Sequence, residues 1–179
     1  MTFQTTVRNN VGFGVVGELF LEGPLRAQPA VLASGAGAAN NIVGRVFTVA
    51  DDATGNFDTT ADPIPLDVAA GGTGVFAGVL ANPKTYALVG ASIGNPLSPS
   101  LLLADGTTVE LVQETAGLIV SISTAAAVGD WVWFSQTTGA LQTTVPGASA
   151  PAGTTRLPNG TVVRYETAAA GLAVIAFNG

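Results

Sequence analysis

The chain has 179 residues, only 10% of them charged against about 25% in an ordinary soluble domain, and a formal net charge of −6. It contains no His and no Cys. That removes disulfides, His-based catalytic triads and the usual ligands of zinc, copper, haem and iron–sulfur centres, and six scattered basic residues suit nucleic acid poorly.

In chain order, Met1–Asn10 has no apolar core of a secretory signal and reads as an extended arm. Residues 11–179 read as a single β domain. Gly (23) and Pro (10) are spread so widely that few gaps would hold a helix. Short β-branched runs bounded by turn residues recur instead. They predict strands over 17–21, 26–33, 42–50, 74–80, 84–88, 107–113, 118–123, 130–135, 140–144, 161–166 and 171–177.

Asp51–Ala70, which holds five of the twelve acidic residues, and Pro146–Leu157 read as long loops. Three turns have explicit chemistry: Asp105-Gly106, Thr137-Thr138-Gly139, and Asn159-Gly160 as a type I′ hairpin turn. Thr115-Ala116-Gly117 reads as a further turn. The stretch 68–83, uncharged but broken by glycines, is too short to span a bilayer as a helix. The pattern as a whole predicts an all-β fold, a jelly-roll-like sandwich or barrel with an extended N-terminal arm and long loops.

The chemical motifs are weak. Gly12-Phe-Gly-Val-Val-Gly17 matches G-x-G-x-x-G, but Gly23-Pro24 stops any helix after it, and positions 30–40 hold no carboxylate for a ribose. Gly35-Ala-Gly-Ala-Ala39 is a poorer version of the same pattern. Asp51-Asp-Ala-Thr-Gly-Asn-Phe-Asp58 is rich in oxygen donors without EF-hand spacing, and reads as a solvated loop. Glu110 and Glu114 are the closest acid pair outside that loop, and read as an exposed strand face rather than a glycosidase pair. Asn159-Gly-Thr161 matches a glycosylation sequon, but the turn reading takes precedence. No catalytic, cofactor-binding or metal-binding residue is therefore expected.

Trp131 and Trp133 are two apart, so in a strand they share one face and Val132 and Phe134 share the other. One pair is core. If the tryptophans face outward they form an aromatic patch of the kind enriched at protein interfaces. A folded chain of this size exposes on the order of 8,000 Å², and only 18 charged side chains are available to cover it. A surface of that kind favours a component of an assembly over an isolated enzyme.

Three segments carry a resemblance: Val11–Ala30, Asn40–Thr48 and Gly74–Ala87, the last being the most specific. They resemble tailed-bacteriophage structural cement proteins, and Val128–Phe134 with Thr138–Leu141 resembles hairpins of phage head decoration proteins. The resemblance implies a virion protein, made in the host cytoplasm and carried on the outer surface of an icosahedral head. It would join neighbouring capsomers of the major capsid protein as a small homo-oligomer, a dimer or trimer. No catalysis, cofactor, nucleic acid or membrane partner is implied. The contact residues expected from the sequence are Phe3, Arg8, Arg26, Lys84, Trp131 and Trp133, and Arg45 is a further cation that would meet acidic capsid surface. The alternative is a phage tail or head-fibre receptor-binding component.

Overall fold

The computed structural model describes residues 14–49, 66–82 and 102–179. They form nine strands: β1 (Leu25–Leu32), β2 (Val46–Val49), β3 (Leu66–Ala70), β4 (Phe76–Leu80), β5 (Thr108–Ile122), β6 (Trp131–Ser135), β7 (Leu141–Thr144), β8 (Thr154–Arg164) and β9 (Gly171–Asn178). A single 3-10 turn, Gly35–Asn40, follows β1. The all-β expectation holds, and the described strands take the barrel form.

The nine strands make one sheet in the order β1-β3-β2-β4-β5-β7-β6-β8-β9, with β5 pairing additionally to β1 and to β9. Those two extra pairings close the sheet on itself twice. Strands β1, β3, β2, β4 and β5 form one five-stranded ring, and β5, β7, β6, β8 and β9 form a second. β5 is common to both. At about 3.3 Å per residue, its 15 residues are long enough to serve one ring with each half.

Side-chain burial follows this division. Ala30, Leu32, Phe47, Val68, Leu80, Val109 and Leu111 are buried in one cluster, inside the first ring. Leu118, Val120 and Ile122 of β5 join Val132, Phe134, Leu141, Leu157, Val162, Ala173 and Ile175 in the other. β5 changes allegiance at Thr115–Gly117, where its pairing with β9 slips register. Its pairing with β1 slips nearby, at Arg26/Ala27. The turn expected at Thr115-Ala116-Gly117 is thus a bulge inside one long strand, and the two strands predicted on either side are one. Leu21 covers that corner so closely that a Cβ on Gly117 would lie 2.8 Å from it.

The rings are joined by more than β5. Val46, Val79 and Val112 lie in register across β2, β4 and β5, and all three belong to the second ring's cluster. The β6–β7 turn also docks on β2 and the end of β3. The Val46 amide donates to Gly139 O (3.0 Å), the Gly71 amide to Val46 O (2.9 Å) and the Gly72 amide to Gln136 O (2.6 Å).

Several sequence expectations need correction. Leu66–Ala70, assigned to the acidic loop, is β3, since its parallel pairing with β1 and antiparallel pairing with β2 close the first ring. Thr154–Leu157, assigned to a loop, begins β8. Asn159-Gly160 is no hairpin turn. Trp133 pairs with Arg156 and Trp131 with Thr161, so residues 157–160 stand opposite Val132 alone and loop out as a wide bulge. Asn159 does take the left-handed conformation (φ 47°), as its turn propensity suggests. The strand expected at 17–21 shrinks to a bridge, Leu19 opposite Leu118, held by Gly17 N–H to Ile119 O and Phe20 N–H to Gly117 O (both 2.8 Å). The described part of the G-x-G-x-x-G motif therefore lies against β5. The turns at Asp105-Gly106 and Thr137–Gly139 form as expected. The predicted strand 84–88 and the acidic stretch 51–62 lie outside the described residues.

Candidate functional site

The structure resolves which pair on β6 is core. Val132 and Phe134 are buried in the second ring, so Trp131 and Trp133 take the outer face. Register defines that face across three strands. Thr144 and Gln142 of β7 lie beside Trp131 and Trp133 on one side. Thr161 and Arg156 of β8 lie beside them on the other.

The two tryptophans are held differently. Trp133 is only 8% exposed, and its indole N–H donates to Thr144 Oγ1 at 2.8 Å, which satisfies the one polar atom of a covered ring. Trp131 is half-buried, and the Arg156 guanidinium carbon stacks 3.9 Å from its ring centroid. Arg156 is exposed, and among the described residues no carboxylate pairs with it. The Trp131 end of the face is flanked by exposed aliphatics. Val145 follows Thr144 and is 65% exposed; Val128 lies three residues before Trp131 and is 55% exposed. The Gly129 amide bonds to Val162 O, which keeps Val128 at this end.

Arg26 lies on β1 opposite Glu114, and its guanidinium donates to the Gly179 main-chain oxygen. It is exposed but tied to the end of the chain. Arg45, the further cation named from the sequence, is engaged within the fold. It is half-buried and donates to Asn40 Oδ1 (2.6 Å) and Thr138 O (3.2 Å), bracing the 3-10 turn against the β6–β7 turn. Burial holds its pKa below the ordinary arginine value. Phe3, Arg8 and Lys84 lie outside the described residues.

Glu110 and Glu114 are not brought together in the groove that the described residues form beside Glu114. That open groove of about 230 Å³ takes Glu114, beside Pro24, Asn159 and Phe177, and leaves Glu110 out.

Two features escaped the sequence reading. Arg156 drew no notice because nothing in linear order links it to Trp131, 25 positions earlier; only the β6–β8 pairing does. Tyr165, immediately after β8, has φ 63°, a conformation costing an L-residue roughly 1–2 kcal/mol. Its ring packs edge-on against Phe20 at 5.6 Å, which ties the segment before β1 to the second ring.

Comparison with known proteins agrees with the sequence resemblance. Residues 3–178 match the family model described as "Structural cement protein (E217 gp24/Pam3 gp6)". The chain belongs to the phage structural cement protein family. Its place is accordingly in the virion, in association with capsid proteins. A chain in the solved capsid of Myoviridae phage XM1 has a similar fold, with TM-score 0.57 over 99% of this chain and 98% of that one. Identity is 17%, so that likeness is one of fold. No curated protein sequence matches the chain.

Proposed function

We propose that this cement protein binds the outer surface of an icosahedral phage head, joins neighbouring capsomers of the major capsid protein, and does so as a homo-dimer or homo-trimer without catalysis. The observation that carries the contact assignment is the outer face of β6 with its neighbours. Trp and Arg are the residue types most enriched among those that dominate binding energy, and here they occupy one face of a chain with few charges. In this reading Trp131 and Trp133 contribute directly. Arg26, with Phe3, Arg8 and Lys84, supplies further contacts, and residues 1–10 act as an arm beside the β domain of residues 11–179.

A contact of standard size buries about 1,600 Å². Icosahedral symmetry repeats it, and each further contact of a bound oligomer is effectively intramolecular. Individually modest contacts then suffice to reinforce a shell against internal pressure.

The test is co-sedimentation of purified protein with expanded heads stripped of it, with intact host cells as the comparison. Saturable binding at a fixed ratio to the major capsid protein, with a raised rupture temperature, is expected. Binding to cells without binding to heads would replace this reading with a receptor-binding one. Removing Arg26 and Lys84 together should weaken head occupancy and steepen its salt dependence.

A further inference from the structure

We infer that the Trp131–Arg156 stack is a receptor for a carboxylate side chain of the capsid subunit, presented among apolar residues. The inference rests on the head-binding reading above and deepens it by naming the partner's chemistry.

The Arg156 guanidinium carbon sits 3.9 Å over the Trp131 ring centroid, and a cation–π contact of this kind consumes none of the hydrogen-bonding capacity of the guanidinium. Its N–H donors point outward in the plane of the group, as a fixed fork. In Arg156 that fork has no carboxylate among the described residues. The planar, two-oxygen ligand that fits it is a carboxylate, bound bidentately. A phosphate would fit as well in isolation, but a chain with net charge −6 repels a polyanion, whereas a single side-chain carboxylate meets only the local field. The stack also fixes the position of a long side chain, so less conformational freedom is lost when the ligand binds.

The surroundings favour a carboxylate carried by a protein surface. Val128 and Val145 are exposed near the strand ends that carry Trp131 and Thr144, and Trp133 lies covered beside Trp131 on the same face. An acidic side chain rising from an apolar capsid patch would seat its oxygens on Arg156 while the patch covers the valines. Covering them excludes water from the ion pair, the condition under which such a pair becomes strong and directional. Arg164, at the other end of β8, provides the internal contrast. It is exposed and pairs across the sheet with Val174, and no aromatic ring under it is described.

The experiment measures binding of four proteins to stripped expanded heads at about 0.15 M salt, with circular dichroism confirming that each is folded. The variants are Arg156→Glu, Arg156→Lys and Arg164→Glu, beside the wild type. Arg156→Glu should weaken binding about 30-fold or more. Arg156→Lys keeps the charge but loses the fork, and should weaken binding at least about fivefold. Arg164→Glu makes the same change in net charge and should bind like wild type. Equal losses in the two glutamate variants would overturn the inference in favour of general electrostatics. Wild-type binding by Arg156→Lys would overturn the bidentate fork. Failure of the wild type to bind heads at all would instead refute the cement reading on which the inference stands.

Discussion

Gly139 is the point where the two rings meet backbone to backbone, and replacing it with alanine tests whether that junction matters. The residue has φ 68°. An alanine there pays roughly 1–2 kcal/mol for the left-handed conformation. Its Cβ would also run into the Val46 carbonyl oxygen and come within 3.0 Å of the Gly71 nitrogen. Both are backbone atoms, so no side chain can swing aside. Relief requires the β6–β7 turn to back away from β2, which breaks the Val46 N–H bond to Gly139 O. Val46 is fully buried, and an amide left unpaired there costs about 1–3 kcal/mol. The total is about 2–5 kcal/mol, or roughly a 4–20 °C fall in Tm for a domain of this size. Gly106→Ala is the control, because Gly106 has φ 78° and open space where its Cβ would point. It should cost only about 1–2 kcal/mol. The loss of unfolded-state freedom on changing Gly to Ala is common to both and cancels in the difference. Urea denaturation of the two variants measures that difference from the midpoints, provided the slopes agree. Equal stability of the two within about 0.5 kcal/mol would refute the junction.

Two further outcomes follow from the packing. Asp105 accepts hydrogen bonds from the amides of Ser34 and Gly35 and from Asn41 Nδ2, at 3.0, 2.8 and 2.7 Å; Asn41 is fully buried, so Asp105→Ala strands its amide and should lower stability by about 2–3 kcal/mol in the same denaturation assay. Both tryptophans of the chain lie on β6, in the second ring, so their fluorescence reports that ring while far-ultraviolet circular dichroism reports both. Because β5 and the Val46–Val79–Val112 row belong to both rings, the two signals should change at one midpoint; a fluorescence transition displaced by more than about 0.3 M urea would show rings that unfold separately.

What could be read from the sequence depended on how local the signal was. Alternation and turn chemistry located β1, β4, β6, β7 and β9 closely, because those strands are short and bounded by turn residues. The inward pair Val132/Phe134 and outward pair Trp131/Trp133 followed from a period of two, leaving only the choice of side. β3 was hidden because Leu66–Ala70 adjoins a run of acids, and its strand character comes from two partners distant in sequence. The wide bulge at 157–160 imitated a hairpin because Asn-Gly supplies a left-handed residue equally well to either. Thr115–Gly117 looked like a break in the chain. Only the demand of two cores on one strand makes it a register slip instead. The Arg156 stack is wholly a product of pairing register, and no spacing rule would have found it.

The double closure also bears on how such a chain recognises a shell. With 10% charged residues it has few of the lysines and glutamates that normally blunt exposed strand edges. The second side of β7, where pairing with β5 is limited to Ile122 opposite Leu141, shows how an edge is closed instead. The Ser123 amide donates to Leu141 O (2.9 Å), the Thr143 amide donates to Thr124 Oγ1 (2.9 Å), and Thr143 Oγ1 donates to Ala125 O (2.6 Å). Hydroxyls thus satisfy backbone groups that would otherwise template another strand. Ring closure occupies the edges of β5 in the same way. Strand addition is therefore disfavoured at these edges, and in the proposed reading recognition falls to the side chains of outer faces. On the β7-β6-β8 face those are Thr144, Gln142, Trp131, Arg156 and Thr161, with Trp133 covered beneath them, a surface with one half-buried indole and one directional cation. A face of that composition can bind a fixed partner on a symmetric shell without making the free protein prone to edge-to-edge association, which is the compromise a low-charge cement protein requires.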